Sequence, residues 1–223
     1  MRLSKVLCAG VLVAAGTAVA LAQDPVKVDA AHYKVLVDNA AVRVLKINYA
    51  PGATSVMHQH PDSIAIPMAT SKVKFATPDG KSEDREMASE TASYAPAGLH
   101  KPTNIGTGPI DVIQVEFKAA KPGTAALPAS RPGMALNVLA EGPRAMAYRS
   151  TAAPTFAEAA GTKHDFDQVV IALGPAQMSL SVAGQPAKTT WARGDAMFIG
   201  RGVAHEAKNT GGKAVDMIIV AIK

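Results

Sequence analysis

His58 and His60 stand two residues apart in Gly52-Ala-Thr-Ser-Val-Met-His58-Gln-His60. On a β-strand that spacing projects both imidazoles from one face. Neutral imidazole is a common ligand for Zn, Fe, Cu, Ni and Mn, so a rigid pair is half of a metal site. A third ligand has to come from another strand. His100, in Pro96-Ala-Gly-Leu-His100-Lys-Pro-Thr-Asn104, is the candidate.

The histidines past His60 repeat that arrangement. His60 and His100 are 40 residues apart, and His164 and His205 are 41 apart. His60 to His164 is 104 residues, while His100 to His205 and Asn104 to Asn209 are each 105. Two similar units of about a hundred residues account for these intervals.

These residues carry a family resemblance. Gly52-x5-His58-x-His60 resembles the first cupin motif, G-x5-H-x-H-x(3,4)-E-x6-G. Gly194-x5-Gly200-Arg-Gly202-Val-Ala-His205-x3-Asn209 resembles the second, G-x(5,7)-P-x-G-x2-H-x3-N, with Gly200 in place of proline. In the first unit the second motif reads Pro96-Ala-Gly98-Leu-His100, one residue short between glycine and histidine. The resemblance implies an all-β chain of two tandem cupin-type jelly-roll β-barrels, and it covers nearly all of the sequence after the leader.

It also implies a ligand set. Where the family carries a glutamate after the histidine pair, counting three residues past His60 lands on Ile64. The first site is then His58, His60 and His100 with no carboxylate. Such a set suits a divalent transition metal, with Fe(II) favoured and Mn, Ni, Cu or Zn admitted. With Fe(II), the resemblance suggests oxygen chemistry on a chelating small molecule; with Zn, a bound water would serve as the nucleophile. In the second unit, Thr162-Lys-His164-x3-Gln168 replaces the first histidine by threonine and the glutamate by an amide. His164, Gln168 and His205 are therefore expected to form only a weak second site.

The elements that must position these residues are short strands. Val42–Tyr49 alternates as a half-buried strand should, and Pro51-Gly52 turns the chain into the histidine strand. Alternation along Ile64-Ala-Ile-Pro-Met68 places Ile64, Ile66 and Met68 inward and so predicts an apolar pocket for a small ligand. Asp62 and Glu116 are the nearest acidic candidates for proton transfer. The charged run Lys81–Glu86 reads as a solvated loop, and Pro154–Ala160 as a short helix or an irregular loop. No long amphipathic helix interrupts the pattern, which argues for barrels.

Arg2 and Lys5, an apolar run to Leu21 and the small residues of Ala20-Leu21-Ala22 read as a secretory signal peptide over residues 1–22. The first barrel is expected over 23–118, a linker rich in Pro, Ala and Gly over 119–133, and the second barrel over 134–223. Cys8 is the sole cysteine, and it lies in the expected leader, so disulfide and thiol chemistry are not expected. The net charge of +5 falls to +3 without Arg2 and Lys5, and no Lys/Arg cluster marks a nucleic-acid surface. No membrane span is expected after cleavage. Neither a dinucleotide fingerprint, a Walker loop nor a G-x-S-x-G elbow is present. The sequence thus predicts a periplasmic or secreted metal-binding protein with a small-molecule ligand or substrate. Its two live classes are a metal-dependent dioxygenase and a non-catalytic binding protein, with a homodimer through edge strands as a further expectation.

Overall fold

Strands and tight turns follow one another through residues 23–118 and 131–223, the parts of the chain that the computed structural model describes. The expected signal segment, 1–22, and residues 119–130 of the expected linker lie outside them. The first unit opens with a single helical turn, α1 (Pro25–Val28), whose Val26 N–H is capped by the Asp24 carboxylate at 3.1 Å. Nine strands follow: β1 (Tyr33–Asp38), β2 (Val42–Tyr49), β3 (His58–His60), β4 (Ser63–Pro67), β5 (Ser71–Ala76), β6 (Ser82–Met87), β7 (Ser93–Ala95), β8 (Gly98–Asn104) and β9 (Ile110–Phe117). The second unit contributes β10 (Met134–Glu141), β11 (Ala145–Ala152), β12 (Asp167–Ala172), β13 (Ala176–Val182), β14 (Lys188–Trp191), β15 (Ala196–Ile199), β16 (His205–Asn209) and β17 (Val215–Ile222).

Each unit is a jelly-roll barrel made of a five-stranded sheet facing a smaller one. The five-stranded sheets run β1-β2-β9-β4-β7 and β10-β11-β17-β12-β15, the same order position by position. The smaller sheets run β3-β8-β5-β6 and β14-β13-β16. The counterpart of β3 has shrunk to one bridge, Thr162 to His205, standing where His58 pairs with His100. Asn104 and Asn209 tie down equivalent turns in the two units. The Asn104 amide donates to Tyr49 and Gly108 carbonyls and its oxygen accepts from Gly106 N–H. The Asn209 amide donates to the Ala152, Ala153 and Lys213 carbonyls, and its oxygen accepts from Gly211 N–H. The 105-residue interval between them is therefore a turn lock used twice.

The largest core lies between the barrels. Val42, Val44, Ile64, Ile66, Met68, Ile113, Val115 and Phe117 from one five-stranded sheet meet Ala145, Ala147, Val169, Ile171, Leu173, Ile218, Val220 and Ile222 from the other. Fully burying one such aliphatic side chain is worth about 1.5–3 kcal/mol, so this face holds the two barrels as one body. Its rim is polar. Glu90, a non-glycine residue at φ 62°, receives Arg149 and Arg193 from the second barrel at 3.0 and 2.9 Å, and Arg193 also donates to the Met68 and Leu173 carbonyls.

Two expectations are corrected here. Ile64, Ile66 and Met68 do not face a ligand pocket; they are buried against the second barrel, and Ser63, Ala65 and Pro67 face the interior instead. The run Lys81–Glu86 is not a loop, because Ser82–Met87 pairs with β5 as an exposed edge strand. Such charges on an edge strand blunt further pairing. Of the two alternatives held for Pro154–Ala160, the structure shows the irregular chain.

Candidate metal centre

β3 and β8 put the three expected histidines together. His58 and His100 are direct cross-strand partners, and His60 lies two residues along on the same face as His58. Ring centroids are 4.9 Å apart for His58–His60 and His58–His100, and 5.2 Å for His60–His100. Each ring offers one nitrogen to a group whose ligand atoms all lie within 4.8 Å of one another. The shortened second motif does not turn His100 away, because its place is set by pairing with β3.

The ring orientations are fixed from behind. His58 Nδ1 donates to the Val56 carbonyl at 2.8 Å, which leaves Nε2 as the lone-pair nitrogen; there it accepts the Tyr33 hydroxyl at 2.9 Å. His60 Nδ1 donates to Glu116 Oε1 at 2.6 Å. Its Nε2 is buried and makes no hydrogen bond among the described residues. Burying such a group without a partner is costly, and a metal ligated there would satisfy it. Both rings are nearly inaccessible, His58 at 0% and His60 at 4%.

Glu116 is the carboxylate of this site, behind a histidine and not beside it. It is fully buried, and Arg43, its cross-strand neighbour, donates from Nε to Oε2 at 2.5 Å. Burial opposes its charge, but the hydrogen bonds from His60 and Arg43 outweigh that and hold the carboxyl below its usual range. A carboxylate on the far nitrogen of a ligating histidine fixes the tautomer and raises ligand basicity. Burial also pushes His58 down, and it pushes His100, with help from the neighbouring imidazoles, down to about 3. Three neutral imidazoles with converging nitrogens suit a transition metal.

The site opens on room. The interior of the first barrel encloses about 800 Å³, lined by His60, His100, Tyr33, Phe75, Ser63 and Gln114 among others. That is the size of a small-molecule pocket. The second barrel is filled, with a cavity of only about 50 Å³ among Tyr148, Met178, Leu180 and Trp191.

Of the expected second set, His164 and His205 come together with ring centroids 5.0 Å apart. Gln168 lies beside them, its amide nitrogen 3.5 Å from His205 Nε2. The third group close enough to share an ion with them is Glu158, from the irregular segment. Of the acids named from sequence, Glu116 reaches the first site, while Asp62 accepts Ala97 N–H at 2.7 Å and does not. Sequence reading missed Tyr33, Arg43 and Glu158. A glutamate inside the apolar closing strand, with an arginine opposite, was the available signal for Arg43.

No family model matches the sequence, and no curated protein matches it. Solved structures do match. Salicylate 1,2-dioxygenase from Pseudaminobacter salicylatoxidans is similar over 85% of this chain and 76% of its own, at 11% identity and a TM-score of 0.63. AerE from Microcystis aeruginosa is similar over 86% and 97%, at 12% identity and a TM-score of 0.60. A cupin 2 conserved barrel domain protein from Leptotrichia buccalis is similar over 86% and 88%, at 10% identity and a TM-score of 0.57.

Proposed function

Starting from a chain that is a two-barrel cupin by fold, we propose that it is an exported, metal-dependent dioxygenase of a small organic molecule. His58, His60 and His100 hold the metal, and Fe(II) is our choice. The observation that carries this reading is the buried His60 Nε2, unpartnered among the described residues, grouped with His58 and His100 beside a cavity of about 800 Å³ that His60 and His100 line. Export is our reading of the basic, apolar and small-residue order of residues 1–22.

The chain's own residues divide the work. Glu116, anchored by Arg43, keeps the proton of His60 on Nδ1 and the lone pair on Nε2. Val56 does the same for His58 through its carbonyl. Tyr33 supplies a hydroxyl at His58 Nε2, close to anything held there. Ser63, hydrogen-bonded to Gln114 at 3.1 Å, gives the wall a small polar surface, and Phe75, Val73 and Ile47 shed water from the rest. Bound Fe(II) would supply open positions at which O2 and a chelating substrate meet.

The test is the metal content of protein purified without chelator or nickel resin, followed by O2 uptake with small aromatic and enolic acids. About one metal per chain is expected, lost in His58→Ala and kept in His164→Ala, with substrate-dependent O2 consumption. Wild-type protein that takes no metal after reconstitution with Fe(II), Mn, Zn and Cu would overturn the reading. Metal and ligand binding without O2 uptake would assign the chain to non-catalytic binding in the periplasm.

A further inference from the structure

In the second barrel a side-chain cation lies against the histidine cluster. Arg131, from the segment between the barrels, reaches into the end of the filled C-terminal cavity. Its Nη1 forms an ion pair with Glu158 Oε1, and its Nη2 donates to His164 Nε2 at 3.2 Å. His205 completes the cluster. Its Nδ1 donates to the Val203 carbonyl at 3.1 Å, as His58 does to Val56, and its Nε2 lies 3.6 Å from Glu158 Oε2. Glu158 is itself held by Ala207 N–H at 3.1 Å, and its side chain is 5% exposed.

Two features separate this cluster from an ordinary buried ion pair. The guanidinium contacts two of the three side chains whose ligand atoms lie within 4.8 Å of one another. Those three are two imidazoles and one carboxylate, a donor set that suits a divalent transition metal and that carries the charge missing from the first site. The cover also falls on a different ring in each barrel: Tyr33, which opens β1, donates to His58 Nε2, whereas Arg131, three residues before β10, donates to Nε2 of His164, the counterpart of His60.

We propose that the Arg131 guanidinium is the resident cation of the C-terminal barrel, occupying a Glu158–His164–His205 site that binds a divalent transition metal once the arginine is removed. As long as Arg131 is seated, that barrel takes no metal. A guanidinium cannot give up its charge near neutral pH, so it competes with a metal ion at every such pH. Its tether keeps it at high local concentration, which no free ion matches.

The experiment counts Zn(II) bound by the full chain, by titration calorimetry and metal analysis, for wild type, Arg131→Met and Arg131→Met/His205→Ala. Arg131→Met is expected to bind one more equivalent than wild type, and the double variant to lose that increment. If the N-terminal site fails to bind, the counts run zero and one instead of one and two, so the increment stands apart from the proposed function. Wild-type protein that binds a second equivalent abolished by His205→Ala overturns the proposal, as does a folded Arg131→Met with no increment. Arg131→Met leaves a buried carboxylate without its guanidinium partner, so its refolding is followed with and without metal. Refolding rescued by Zn(II) but not by Mg(II) then supports the site; refolding rescued by neither overturns it.

Discussion

Behind the proposed metal centre stands a glutamate that bonds the far nitrogen of His60. Glu116→Gln keeps the shape but exchanges a carboxylate acceptor for an amide. Metal affinity is expected to fall about 10- to 100-fold, with the fold kept, as measured by competition against a chelating dye. Tyr33→Phe is expected to act in the opposite sense. The Tyr33 hydroxyl donates to the His58 nitrogen that a metal would take. A net hydrogen bond is worth about 1 kcal/mol, so its removal should tighten metal binding by roughly fivefold in the same assay. Proton uptake gives a third expectation. His58 and His100 are held below their ordinary 6.5, His100 at about 3, and in the second barrel His164 is pushed to about 4. Between those values and 6.5 the unfolded chain binds protons that the folded chain does not. The metal-free protein should therefore lose stability as pH falls from about 6.5 toward 4, and show a plateau above 6.5. Thermal midpoints across that range check it: a midpoint that rises on acidification would contradict the burial account, and His100→Leu should flatten the slope.

Among the elements, β4 explains both what the sequence told and what it concealed. His58 and His60 were legible because H-x-H spacing on a strand leaves the two rings one face, and His100 because it stands in the second motif. The direction of the next strand was not. Counting three residues past His60 gave Ile64 as the glutamate's equivalent, yet Ser63 crosses Glu116 of β9 just as Gln168 crosses Ala221 of β17. The first barrel has one residue fewer between its histidines and this strand. A one-residue difference sends every side chain to the opposite face, so Ile64, Ile66 and Met68 went to the second barrel and Ser63, Ala65 and Pro67 to the cavity. Both faces of β4 are buried, and hydrophobicity alone could not choose between them. Glu158 was hidden for another reason: it sits in irregular chain, where no periodicity relates it to His164. A contact between elements supplies the next test. Gly142, just past β10, lies on the Tyr94 ring of β7 so closely that a Cβ would overlap it. Gly142→Ala is expected to destabilise the protein by about 1–3 kcal/mol, read as a lower denaturant midpoint with unchanged slope.

On the scale of the whole molecule, sixteen buried residues drawn equally from both barrels form one core. The barrels should therefore unfold together, in one thermal transition detected alike by circular dichroism and by the buried Trp191 of the second barrel. Two separate transitions would show the inter-barrel face to be weak. The contacts across that face come in matched pairs: β7 touches β10 while β15 touches β1, and these four are equivalent strands of the two units. The arrangement is that of a twofold symmetric dimer joined into one chain.

That symmetry has a consequence for how the halves can diverge. In a dimer of identical subunits, any change to one gene alters both sites together, and dilution pulls the partners apart. Here the same face is intramolecular, so it persists at any concentration, and each half accepts changes on its own. One half has kept an open chamber with three imidazoles, while the other has filled its chamber and seated an arginine against its histidines. The second barrel serves the first as a permanent wall for β4, a duty that asks nothing of its own interior.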